Sequence, residues 1–449
     1  MSNKIAEHAV VIGAGMGGLA AAKAAAPYFD RVTVLERDGL PDDASPRPGA
    51  PQARHLHVLL AGGLEALETL MGDVGQDLEE EGAVKTRVGL DIVFERPGFD
   101  PFPQRDLGFD TFCMSRPLLE SICRRRVASD VAVTFRSRSR AVEIIPSSDR
   151  TAVAGVRYDD SSGGSQTIPA NLVVDASGRA APTLTFLETV GFEKPDEDEI
   201  GIDQAYSTAM FDVPDDASTK WRALIHLPDA PRTSRGGFYV PIEGHRWIVS
   251  LGGNHGDAPP GDIDGFMAFA KSFRTPTVYH AIRNARSIGD VARFNLPRTV
   301  RRRFERLGRF PRGLVPIADS VCRFNPIFGQ GMSVAAQEAV ALGRLLGARA
   351  GRVDPLEDFA KSFFSEIQGS LEAPWATSLI DFVYPKTRGE RPADLEKRLQ
   401  YGAGLNLIAA EDPAVHRLLA EVTHLLKPQS ALRQPEIAKR VAELMEARA

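Results

Sequence analysis

Two glycine-rich turns carry the residues best suited to chemistry in this chain. The first, Gly13-Ala14-Gly15-Met16-Gly17-Gly18, follows the apolar run Ala9-Val10-Val11-Ile12 and precedes an alanine-rich stretch from Leu19 to Ala26. A turn of this kind between strand and helix lets a pyrophosphate approach backbone N–H groups where the helix dipole favours negative charge. Gly13 would make the tight turn, Gly15 would admit the pyrophosphate, and Gly18 would let the helix pack closely on the strand. Glu36 ends the next β-branched run, 18 residues after Gly18, where an acid accepts hydrogen bonds from adenosine ribose hydroxyls. Arg37 beside it joins this nucleotide-binding set.

The second turn lies in residues 313 to 338. Asp319 closes the apolar run Leu314 to Ala318, and Pro326, Gly329, Gly331 and Met332 lead into a helix predicted from Ser333 to Leu346. An acid at a strand end can hold ribityl hydroxyls, and a helix N-terminus can hold negative charge developing on a reduced flavin. Asp175, in Val-Val-Asp-Ala-Ser-Gly-Arg, follows another apolar run and reads either as a cofactor contact or as a helix cap. Arg54, His55 and His57 follow a loop rich in Pro, Asp and Gly. They read either as a cluster beside the cofactor or as residues that pack that loop. His-x-His lacks a third nearby ligand, so no metal site is expected.

The elements that must position these groups are legible as strand, turn, helix, strand over residues 8 to 38. Residues 199 to 260 carry short β-prone runs between Pro, Asp and Gly turns, which predicts a mainly antiparallel sheet. The last eighty residues read as helical. The expected fold is α/β: a Rossmann-like nucleotide-binding domain written discontinuously over 1–80, 113–190 and 300–350. It would be interleaved with an antiparallel substrate domain over 81–112 and 191–299, and followed by a helical region over 351–449. Seven arginines between Arg298 and Arg312 read as a solvated helix face. Phe211, Phe238, Tyr239 and Trp375 are candidates for an apolar substrate pocket.

Composition narrows the function. The chain has 449 residues, 43% hydrophobic and 25% charged, which fits a soluble globular protein rather than a disordered or fibrous one. A net charge of -5 offers no footprint for a phosphate backbone, so no nucleic-acid partner is expected. Cys113, Cys123 and Cys322 form neither a disulfide framework nor a metal spacing, which points to a cytoplasmic location. No apolar run is long enough for an integral membrane segment.

Taken in order, these motifs resemble the group A FAD-dependent monooxygenases, the family with the para-hydroxybenzoate hydroxylase (GR2-type) fold. The resemblance covers residues 9 to about 345. It rests on Gly13, Gly15 and Gly18 with Glu36, on Asp175 in its Asp-Ala-Ser-Gly-Arg segment, and on Asp319 with Pro326, Gly329 and Gly331. Arg116, in Ser-Arg-Pro-Leu-Leu-Glu, resembles the arginine with which the family reaches back to its cofactor. Within the family, Pro-Gln-Ala-Arg-His-Leu-His-Val-Leu-Leu (51 to 60), Asn-Pro-Ile-Phe-Gly-Gln-Gly-Met-Ser and Ala-Pro-Trp look like a bacterial subgroup that includes polyether-type epoxidases. After Arg179 the family usually has a serine and a second arginine, where this chain has Ala180, Ala181, Pro182 and Thr183.

The resemblance implies FAD as cofactor, NAD(P)H as reductant and O2 as co-substrate. A flavin C4a-hydroperoxide would deliver one oxygen atom to a lipophilic or aromatic small molecule, by hydroxylation or epoxidation. It names no catalytic base. The alternatives are a dehydrogenase or reductase on the same scaffold and a non-catalytic flavin-binding sensor. Flavin halogenation is disfavoured because no Trp-x-Trp-x-Ile-Pro segment is present and Trp247 stands in Arg-Trp-Ile-Val.

Overall fold

The computed structural model describes residues 4–214 and 220–447. Five strands from distant parts of the chain pair in parallel, in the order Leu314–Pro316, Leu172–Asp175, Ala6–Ile12, Phe29–Leu35 and Val133–Arg136. Parallel strands covered on both faces bury their side chains, which is why Ala9 to Ile12, Val32 to Leu35 and Leu172 to Val174 are buried throughout and mostly apolar. Ala9 and Val11 face the core formed with the helices Met16–Ala25 and Gly331–Arg349. Val10 and Ile12 point the other way, onto Ile144, Val156 and Tyr158 of a three-stranded antiparallel sheet. The period of two along one strand therefore joins two separate cores.

A seven-stranded sheet forms the second layer. Its order is Cys322–Arg323, Ser287–Arg302, Glu197–Asp212, Arg246–Gly253, Gly236–Ile242, Ala223–His226 and Ile92–Glu95. All its pairings are antiparallel except the last, where Ala223–His226 runs parallel to Ile92–Glu95. One edge strand thus leads directly into the late glycine turn, and the opposite edge comes from a segment two hundred residues earlier.

Two local expectations are corrected. The basic run begins in the strand Ser287–Arg302 rather than in a helix. Its arginines pair with the acidic start of the neighbouring strand: Arg298 with Glu199, Arg302 with Glu197, and Arg303, just beyond the strand, with Asp198. Cross-strand opposite charges stabilise a sheet in the way that helical neighbours do, so alternating charge did not require a helix. The leucines at helical spacing from His57 to Met71 predict a helix over that span, but the second helix starts at Ala61 and leaves His57 in the segment that enters it.

The C-terminal region is helical, with Phe359–Ser378, Leu395–Glu411, Pro413–Thr423 and Pro435–Glu446. The last three pack Leu405, Ile408, Val415, Val422 and Val441 around Phe102. Among the described residues no helix is long and apolar enough to cross a membrane. The three cysteines are buried and unpaired, and burial pushes the thiols of Cys113 and Cys123 up to about 11 and about 12. Neither thiol supplies a nucleophile at neutral pH.

Candidate active site

A cavity of about 1430 Å³ runs between the two large sheets and under the C-terminal helices. At one end stand both glycine turns. Gly13 adopts φ +100°, and a Cβ there would lie 2.8 Å from the carbonyl oxygen of Ala176. At Gly18 a Cβ would come within 1.9 Å of the Gly13 oxygen, so helix and turn could not approach if it carried a side chain. A Cβ at Gly15 would meet only Arg47 Nη2, at 3.9 Å, and the residue lines the cavity. Gly13 thus stands at the tight turn, Gly15 at the cavity and Gly18 at the contact of helix and turn.

Glu36 is buried at the end of the second strand. Its Oε2 accepts from Ala14 N at 2.9 Å and its Oε1 from Asp38 N at 3.1 Å. Arg47 Nη1 pairs with Glu36 at 2.9 Å and with Asp38 at 3.2 Å, while Arg47 Nε reaches Glu120 at 2.9 Å. Arg116 Nε completes the chain on Glu120 Oε2 at 3.1 Å. Ser115, whose hydroxyl accepts from Leu118 N, caps the helix Arg116–Ala128 and fixes where that guanidinium emerges. Glu36, Arg37, Arg47 and Arg116 all line the cavity. Arg47 was not foreseen, because it sits in a Pro, Asp and Gly loop with no motif around it.

The late turn faces the same end. Asp319, Pro326, Gly329, Gly331 and Met332 line the cavity. The Asp319 side chain opens to the cavity but is enclosed by protein, and that desolvation raises its pKa against the pull of Arg323, Arg116 and Arg302. Glu338 braces the turn from the helix below, its Oε2 accepting from Ala318 N at 2.6 Å. Burial pushes the Glu338 carboxyl up to about 8. Gln330, at the start of that helix, lines the cavity with an Oε1 that has no hydrogen-bond partner.

These residues fit FAD. Two helix N-termini and an open backbone at Gly15 suit the diphosphate, Asp319 and Glu36 suit the sugar-like hydroxyls, and the orphaned Gln330 oxygen can accept from a ring N–H.

Three expected residues stand elsewhere. Asp175 is fully buried and does not line the cavity; it accepts from Ser177 N at 3.0 Å, Thr183 N at 3.1 Å and Thr183 Oγ1 at 2.6 Å. Of its two readings, the capping one describes this geometry, and its partner Thr183 belongs to the segment that departs from the family pattern. Arg54 is exposed and does not line the cavity. From its cluster His57 does, held at Nδ1 by the His55 carbonyl at 3.0 Å and pushed down to about 3 mainly by burial. Gly18 acts through packing, as expected.

On the substrate side, Phe238 lines the cavity beside Tyr206, Phe294 and Leu56. Tyr206 and Phe294 lie 5.3 Å apart and tilted. Phe211 and Tyr239 sit instead in a core with Trp247 and Phe266, and Trp375 sits in the main core. Their side chains point into those cores, a distinction that depends on strand register and helix face.

One acid in the cavity wall has no cation beside it. Asp381 follows the long helix Phe359–Ser378, is buried, and accepts from Asn325 Nδ2 at 2.9 Å on Oδ2. Asn325 Oδ1 accepts from Ile327 N at 3.1 Å, which fixes its amide toward Asp381. No other protein group among the described residues donates to the Asp381 carboxylate, and burial pushes it up to about 6. Nothing in the local sequence marks it.

The family described as FAD dependent oxidoreductase matches residues 9–246, more than half of the chain. The chain belongs to the FAD-dependent oxidoreductases. This oxidoreductase is 32% identical to Protein Rv3254 of Mycobacterium tuberculosis over 357 residues, covering 76% of this chain and 73% of that one. It is similar in fold to the p-nitrophenol 4-monooxygenase PnpA of Pseudomonas putida, with a TM-score of 0.64, 17% identity and coverage of 95% and 99%. It is also similar to the flavin-dependent brominase Bmp2, with a TM-score of 0.65, 16% identity and coverage of 92% and 94%. At such identities the likeness is one of fold, and the same fold carries differently named reactions.

Proposed function

We propose that this FAD-dependent oxidoreductase is a monooxygenase that places one atom of O2 on an aromatic or lipophilic small molecule, with NAD(P)H as reductant. The observation that carries the reading is a single cavity joining both flavin-holding turns to a chamber walled by Phe238, Tyr206 and Phe294. FAD would supply the electrons and the activation of O2. The protein would supply the rest. Backbone at Gly15 and Gly331, Arg116, Glu36 and Asp319 would hold the cofactor, while the aromatic side chains orient the substrate. The C-terminal helices cover the chamber and would exclude water.

Asp381 Oδ1 is the group we assign to move a proton. As the carboxylate it would accept hydrogen from a substrate hydroxyl, leaving the electron pair on oxygen and enriching the ring carbon to be attacked. This favours hydroxylation of a phenol-like head. The resemblance of residues 51 to 60 to polyether-type epoxidases supports the other course, in which an olefin is oxygenated without a base. The division into a discontinuous FAD-binding part, a substrate part and a helical end is supported by the five parallel strands, all from 1–80, 113–190 and 300–350, and by the seven-stranded sheet, drawn from 81–112 and 191–299 with Cys322–Arg323 and the end of Ser287–Arg302 added from the other part.

The test is NAD(P)H consumption by FAD-loaded protein under air, measured with and without small phenols. Stimulation that disappears without O2 is expected. FAD-replete protein that shows no O2-dependent response to any phenol would overturn the proposal.

A further inference from the structure

We infer that the end of the cavity beneath the C-terminal helices is a carboxylate-binding subsite built on Arg96, so that the substrate is an aromatic or lipophilic acid. This names the substrate class for the proposed reaction and rests on the same cavity. Arg96 follows the strand Ile92–Glu95, the edge of the seven-stranded sheet opposite the strand that enters the late glycine turn. The two edges are roughly 25–30 Å apart at ordinary strand spacing.

Arg96 lines the cavity, and its guanidinium lies 5.3 Å from the Phe102 ring centroid. Nη1 donates to Asn406 Oδ1, and among the described residues Nε is buried without a partner and Nη2 donates to no protein group. Among the described residues no carboxylate lies within ion-pair distance of Arg96, whereas Arg47, Arg87, Arg116, Arg274 and Arg303 each have at least one. Enclosing a cation without a counter-charge is costly. Burial is the cause that depresses the Arg96 pKa, with no acid to oppose it.

The neighbours repeat the imbalance. His416 packs edge-on against the same Phe102 ring at 5.0 Å, lines the cavity, and has an Nδ1 without a partner. Burial, then Arg105 and Arg96, push its pKa down to about 4, so it faces the cavity as neutral imidazole. Arg105 donates to the carbonyls of Ala409 and Ala410, closing the end of the helix Leu395–Glu411. Phe94, Phe102, Leu405 and Leu419 supply apolar parts of the wall. A planar guanidinium with donors left over, set in apolar walls, recognises a carboxylate better than a hydrated ammonium would.

The experiment is equilibrium binding of 4-phenylbutyrate and of 4-phenylbutyramide to the FAD-loaded full-length protein, read by calorimetry without reductant. The acid should bind about tenfold or more tighter than the amide, the usual yield of hydrogen bonds to a charged group. Arg96→Met should erase that preference while leaving the thermal midpoint of the ligand-free protein unchanged or higher. Arg96→Gln, which can still hold Asn406, should lose the preference in the same way and provides a second variant if Arg96→Met folds poorly. Equal affinity for acid and amide, binding of neither, or a preference that survives both substitutions would overturn the inference. Because no turnover is needed, failure here is distinct from failure of oxygen transfer.

Discussion

At the flavin end of the cavity Glu36, Arg47, Glu120 and Arg116 neutralise one another, whereas at the far edge of the seven-stranded sheet Arg96 and His416 face apolar walls with no acid beside them. The first arrangement is compensated within the protein, so that removing one member strands the others. The second does not, and we read it as prepared for a ligand's charge. The ends also differ in what specifies them. Backbone geometry sets the flavin end, through glycines that tolerate no Cβ, while side chains from separate segments set the other.

Perturbing the backbone-specified end should have the largest effect. Gly18→Ala places a methyl 1.9 Å from the Gly13 oxygen, so loss of bound FAD and about 3 kcal/mol of stability are expected from flavin content and thermal unfolding. Full FAD occupancy would show that the close approach is dispensable.

Arg47→Met comes next. It leaves Glu36 and Asp38 without their cation and Glu120 with Arg116 alone, and breaking such a buried set costs about 3 kcal/mol. Against the neutral or favourable outcome expected for Arg96→Met, this pair of unfolding curves is the direct check on the contrast between the two ends. Equal losses would dissolve it.

Asp381→Asn keeps an acceptor for Asn325 Nδ2 but removes the base. Turnover of a phenol should fall about a hundredfold with FAD content unchanged. In the unmodified protein, protonation removes the acceptor, so the rate should rise with pH through about 6 and level off above it. The variant should lack that limb. An unchanged pH profile would leave Asp381 as a tie between the late turn and the C-terminal region.

The smallest effects separate pocket from core. Phe211→Leu should cost about 1 kcal/mol of stability and leave ligand affinity alone, because Phe211 packs in the second core. Phe238→Leu, at the cavity wall, should do the reverse in the same binding and unfolding measurements.

What was legible in the sequence follows the same division. The glycine turns, Glu36 and Asp319 could be named because local backbone requirements fix both residue type and spacing, whereas Arg116 could be named only through the family resemblance. Asp175 was ambiguous since a strand-end acid serves a cap or a cofactor equally well, and only the position of Thr183 distinguishes them. Arg47, Asp381 and Arg96 gave no signal, for their roles arise from contacts across 73, 56 and 310 residues of chain. Phe211, Tyr239 and Trp375 were chosen for aromatic character, which does not reveal whether a ring faces a core or a cavity.

The most direct test of the account is a single turnover series with 4-hydroxyphenyl-terminated alkanoic acids of increasing chain length, the longest able to span the roughly 25–30 Å between the two ends, under oxygen-18 gas with NAD(P)H and FAD-loaded protein. The account predicts a product carrying one labelled oxygen atom per molecule. A product that has lost two hydrogens and carries no label would contradict it and make this oxidoreductase a dehydrogenase.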